Sequence, residues 1–157
     1  MCIRDSAYAG TPLQHTLTLN DNDLGPQLSG NMTLLDEDFE NGGTGWLSQS
    51  GGGNNQWLIA GTNGLMTGSR SCYISRNGGA LSYSATSTSS SALRSPLVNA
   101  TGVSGMQLSF DFKSNGESGY DFGRLAYSTN GTNYTVFEGT NTAPFVAQAT
   151  ATTHTVS

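Results

Sequence analysis

Between Met106 and Phe137 the chain alternates between apolar and polar positions more regularly than anywhere else. Met106, Leu108, Phe110 and Phe112 interleave with Gln107, Ser109, Asp111 and Lys113, and a period of two sends side chains of opposite character to opposite faces of a strand. Leu125 and Tyr127 repeat the inward pattern on a second strand. Asn130-Gly131 has the composition of a tight hairpin with two positive-φ residues, and Tyr134, Val136 and Phe137 open a third strand. The pattern predicts three strands of one antiparallel sheet with a single apolar face, which requires a second layer.

Other segments of similar character supply candidates for that layer. Gln56 to Ala60 and Ser71 to Ser75 read as strands on either side of the loop Gly61 to Gly68. Ser82 to Ser91 is a Ser/Thr-rich loop or a polar edge strand. Leu93 to Val98 is apolar again, with Pro96 at a strand end or an edge. No stretch of a dozen residues carries a helical period. After Phe137 the alternation fades into an Ala/Thr-rich tail, Ala143 to Ser157, which predicts an exposed sheet edge and an unfinished core.

Composition narrows the class. The 157 residues are 35% hydrophobic and only 11% charged, with 21 glycines, which suits an all-β extracellular module. A net charge of −5 and six unclustered Lys and Arg argue against nucleic acid and anionic membranes as partners. No apolar run reaches the ~18–20 residues that span a bilayer, so no membrane insertion is expected. Of the two cysteines, Cys72 reads as a small buried side chain in a strand, with Cys2 as the alternative disulfide partner.

The N-terminal part divides differently. Residues 1–6, Met1 to Ser6, resemble translated sequencing-adapter read-through, which would make the chain a fragment of an environmental sequence. Within residues 7–24, His15 to Leu19 alternates like a strand and runs into Asn20-Asp21-Asn22-Asp23. That segment resembles the closing strand of a Calx-β-like repeat or the joint of a cadherin-like domain, and its oxygen-rich end reads as a polar linker or an interdomain Ca²⁺ site. Residues 25–33 form a linker, and 34–157 form the domain proper.

From Asp38 to Phe137 the landmarks fall in a recognisable order. Asp38-Phe39-Glu40 precedes Gly45-Trp46, then Trp57, then Leu93-Arg94-Ser95-Pro96. Leu108-Ser109-Phe110-Asp111-Phe112, Tyr120-Asp121 and the Ser128–Tyr134 hairpin follow. The series resembles the MAM-like and cleaved-adhesin jelly rolls of secreted and cell-surface proteins, although that family usually has Trp at the position of Tyr134. The resemblance implies an antiparallel β-sandwich of jelly-roll type, incomplete at the C-terminus. It also implies a non-catalytic adhesion or binding module of a larger secreted or cell-surface protein, bacterial in origin. Its partners would be a protein or carbohydrate on a surface, together with neighbouring domains of its own chain. A carbohydrate-binding accessory domain of a secreted hydrolase or peptidase is the alternative.

Candidate chemistry is sparse. Ca²⁺ takes six to eight oxygen ligands without a fixed short motif. Read as a strand, Asp36 to Glu40 would place Asp38 and Glu40 on one face and Phe39 on the other. The resemblance adds Asp121, so that Asp38, Glu40 and Asp121 are the candidate ligands of a structural Ca²⁺; a solvated acidic strand start is the competing reading. Trp46 and Trp57 either stack on a sugar or pack in the core. Neither His15 nor His154 lies in a motif with a nucleophile, no carboxylate pair is marked out for glycoside hydrolysis, and Gly51-Gly52-Gly53 lacks the Lys of a phosphate loop. The sequence therefore predicts no enzyme.

Overall fold

The computed structural model describes residues 31–61, 66, 68–76, 78–86 and 88–157, together with the backbone of residues 2–4 and 7–8. Among the described residues the structure is all-β, and no helix is long and apolar enough to cross a membrane. Ten strands occur in the order β1 (Cys2–Arg4), β2 (Ala7–Tyr8), β3 (Leu47–Ser50), β4 (Asn55–Gly61), β5 (Arg70–Arg76), β6 (Ser91–Arg94), β7 (Leu108–Ser114), β8 (Leu125–Tyr127), β9 (Thr135–Glu138) and β10 (Thr152–Val156).

Four antiparallel ribbons make up the frame: β3 with β6, β8 with β9, β4 with β5, and β7 with β10. The short β1 lies between β6 and β8, and the shorter β2 lies between β5 and β7. Two five-stranded layers result, ordered β3-β6-β1-β8-β9 and β10-β7-β2-β5-β4. The backbones of Cys2–Arg4 and Ala7–Tyr8 thus lie inside the sheets. The other features expected of the N-terminal part, His15 to Leu19, the Asn20–Asp23 group and most of the linker, fall outside the described residues.

One core joins the layers. Trp57 on β4, Cys72 and Ile74 on β5, and Phe110 and Phe112 on β7 meet Leu93 on β6 and Leu125 on β8. Phe39, Trp46 and Phe145 enter from loops to complete it. Alternation accounts for the contribution of β7, where Phe110, Phe112 and Ser114 are buried while Asp111 and Lys113 are not; β5 is buried on both faces from Ser71 to Ser75.

Several expectations change. The segment from Met106 to Phe137 is not a three-stranded meander of one sheet, because β7 belongs to one layer and β8–β9 to the other. Period-two alternation decides which residues face the core and leaves the neighbouring strand open. Tyr127 is half exposed rather than inward, and a register shift between Leu125 and Ala126 accompanies the change, with Ala126 buried instead. Asn130-Gly131 does not form the two-residue turn, since only Gly131 has a positive φ. A longer loop forms, in which the Asn130 side-chain carbonyl accepts the N–H groups of Thr132 and Asn133 at 2.9 and 2.8 Å.

The tail after Phe137 is ordered into the fold. β10 pairs with β7 along its whole length, from Thr152 opposite Phe112 to Val156 opposite Leu108. Phe145 and Val146 are buried. The edge that the fading pattern predicted for β7 is therefore covered. Residues 82–86 and 88–90 form no strand, and Ser91 begins β6.

Candidate functional site

The acidic group Asp36 to Glu40 is a turn rather than the expected strand. The Glu37 carboxylate accepts the Phe39 N–H at 2.7 Å, and the Asp38 carboxylate accepts the Glu40 N–H at 2.9 Å. Short acidic side chains compete in this way with sheet ladders for nearby backbone donors. Phe39 is left in the left-handed region with φ +62°, and the Gly42 N–H returns to its carbonyl at 2.9 Å. The bent backbone drives the Phe39 ring into the core, where it meets Trp46 edge to face at 5.1 Å. Its inward course was legible in the sequence; the turn that produces it was not.

Glu40 ties this turn to the start of β5. One carboxylate oxygen accepts the backbone N–H of Ser69 at 2.9 Å and of Arg70 at 3.1 Å, and the other accepts the Ser69 hydroxyl. These bonds hold the Glu40 carboxyl below its ordinary range, the Ser69 hydroxyl foremost and the Arg70 N–H next. Asp121 sits before β8 on a turn whose backbone closes on the Glu117 carbonyl, and it accepts the Tyr83 hydroxyl at 2.7 Å.

The three candidate Ca²⁺ ligands are not brought into one group. Among the described residues, no three His, Cys, Asp or Glu side chains gather where they could hold a metal ion. Asp38, Glu40 and Asp121 are each engaged by a protein donor.

The aromatic residues divide cleanly. Trp46 and Trp57 are 8% and 2% exposed, so neither offers a face to a sugar, and the Trp57 indole N–H donates to the Ser91 carbonyl at 3.4 Å. Cys72 is a free, buried thiol on β5, as its setting in the sequence implied, and burial pushes its ionisation up. The exposed aromatic rings lie elsewhere, Tyr120 on the turn before β8 and a pair on β8 and β9. Tyr127 on β8 and Phe137 on β9 are 49% and 42% exposed and share a face, with centroids 6.1 Å apart; Val136, opposite Ala126, alternates to the other face. Among the described residues β9 ends its sheet, so this pair of rings borders a strand edge. In the sequence, Val136 and Phe137 were legible only as strand formers.

Comparison of the chain with family models, curated proteins and solved structures gives no match.

Proposed function

We propose that the chain is a non-catalytic binding module of a larger secreted or cell-surface protein, built as a jelly roll of the MAM-like or cleaved-adhesin kind. It would engage a surface protein through the β8–β9 edge. The observation that carries this reading is the exposed pair of rings, Tyr127 and Phe137, on the strand that ends a sheet among the described residues. Apolar rings at a free strand edge suit a partner that adds backbone hydrogen bonds along the strand and buries the rings. The landmark series from Asp38 to the Ser128–Tyr134 hairpin, together with the low charge and a surface rich in Ser and Thr, supports an extracellular setting.

The test is binding to immobilised cell-surface and matrix proteins, run beside a glycan array. F137S and Y127S, both at exposed positions, should abolish protein binding while the melting temperature stays within about 2 °C. Unchanged binding by both variants would remove the edge from the proposal. Signals confined to the glycan array would favour the carbohydrate-binding accessory domain instead.

A structural Ca²⁺ at Asp38, Glu40 and Asp121 belongs to the same resemblance. Binding would require Glu40 to release the Ser69 hydroxyl and Asp121 to release Tyr83. A melting temperature higher in Ca²⁺ than in EDTA, and equal in the two for E40Q, would establish the ion. Equal melting temperatures for the wild-type chain would discard it.

A further inference from the structure

His154 occupies the one place where the open sides of the two layers meet through charged groups among the described residues. It lies on β10, the last strand of one sheet, while Glu138 lies on β9, the last strand of the other. The His154 Nε2 and a Glu138 carboxylate oxygen are 2.9 Å apart, and the two side chains are 21% and 29% exposed. The register of β10 on β7 explains the direction of the ring. Thr153 and Thr155 turn outward to Asp111 and Ser109, whereas His154 stands opposite Phe110 and turns inward.

Three phenyl rings surround the imidazole. Phe145, Phe110 and Phe112 have centroids 5.0, 5.6 and 6.3 Å from it, all at steep interplanar angles. These rings wall the imidazole on its core side, which lessens the screening of the pair by water without removing it. The elements packed around it add no competing partner to the inner face. β9 and β10 carry no charged or titratable residue besides Glu138 and His154, and the connection from Gly139 to Ala151 carries none. Asp111 and Lys113 of β7 alternate to its other face. On β8 the residue opposite Glu138 is Leu125; the titratable Tyr127, half exposed, stands opposite Thr135, and Arg124 just before β8 turns its guanidinium over the Phe122 ring at 4.8 Å.

We propose that His154 and Glu138 form a pH-responsive latch that holds β10 over the edge of β7. Histidine ordinarily exchanges its proton near pH ~6.5, inside the physiological range. Below that range the imidazolium and the carboxylate form an ion pair, adding the attraction of opposite charges to the hydrogen bond between them. Above it the ring donates from Nε2 only in one tautomer and without charge, so the strand opens more often. Opening β10 uncovers the backbone groups of β7, and the latch thereby sets how often that edge is presented.

Amide hydrogen exchange on the full 157-residue chain tests the latch. After correction for intrinsic rates, protection of the β10 amides should fall about three- to tenfold between pH ~5.5 and ~8, while the β4–β5 amides hold level. E138Q and H154Q should both abolish the fall. A pH-independent β10 in the wild-type chain, or a fall that survives in both variants, would overturn the proposal. An NMR titration of the wild-type chain gives a reading that does not depend on the variants folding. The Glu138 carboxylate carbon should move with the His154 ring signals over the same pH range, and a carboxylate signal indifferent to that transition would also overturn it.

Discussion

Replacing Phe39 with Ala and with Gly separates the two features of this residue, its burial and its backbone conformation. The ring is fully buried and packs against Trp46. Loss of a wholly buried phenyl group forfeits about 1.5–3 kcal/mol of transfer free energy, and the cavity raises the loss to about 3–5 kcal/mol. The backbone contribution has the opposite ordering from usual. In ordinary strands and helices Gly is less stable than Ala by about 0.5–1 kcal/mol. At φ +62°, however, any residue with a Cβ carries a left-handed cost of about 1–2 kcal/mol, and Gly does not. F39G should therefore be more stable than F39A by about 1 kcal/mol, although both fall well below the wild-type chain. Urea unfolding followed by tryptophan fluorescence reads the difference, since Trp46 touches the mutated ring. With an m value near ~2 kcal/mol/M, the two midpoints should differ by about 0.5 M. F39A equal to or more stable than F39G, at equal m, would refute the left-handed turn as the device that inserts this ring.

Three other measurements probe separate parts of the fold. Asn55 is 2% exposed and fastens the Ser-rich loop to β4, donating to the Ser84 carbonyl and the Ser89 hydroxyl at 3.1 and 2.7 Å and accepting the Ser84 N–H at 2.6 Å. N55A should cost about 1–3 kcal/mol in urea unfolding and raise amide exchange across Ser82–Ser90. In a C2S background the thiol of Cys72, buried and pushed up in its ionisation, should react with a maleimide only as fast as the chain opens, with full labelling in denaturant. Glu40 has a carboxyl lowered by folding, so its contribution is fully present above the unfolded-state range and is lost as pH falls through the folded value. Wild-type stability should accordingly drop more steeply than that of E40Q on acidification below pH ~4.5, and parallel acid limbs would dismiss the Ser69–Glu40 tie.

Much of the fold could be read from alternation. The strand around Phe110 occurs where apolar positions recur every second residue, those around Trp57 and Cys72 occur as short apolar runs, and Cys72, Phe110, Phe112 and Leu125 lie in the core as expected. What alternation could not convey was partnership. Nothing local in Leu108–Ser114 distinguishes a neighbour at Leu125 from a neighbour at Thr152, because pairing depends on which layer each loop crosses to. The tail escaped notice for a related reason. Phe145 and Val146 enter the core from a loop without period, and β10 is built from threonines whose inward member is a histidine. At the acidic turn, residue types suggested oxygen ligands correctly enough, but the N–H groups that engage those oxygens come from Ser69 and Arg70, some 30 residues away. The exposed Tyr127 depends on a register shift that no residue type announces.

The strand order also bears on how the chain reaches its native state. Among the described residues only β4–β5 and β8–β9 are ribbons between consecutive strands, and each can close across a short loop. The ribbon of β3 with β6 must bring Leu47 to Arg94, and that of β7 with β10 must bring Leu108 to Val156. Both enclose long stretches of chain whose closure entropy is spent before any pairing is gained. Folding should therefore begin at the two hairpins and wait on the distant strands, with the free edges of β6 and β7 open to other chains in the interval.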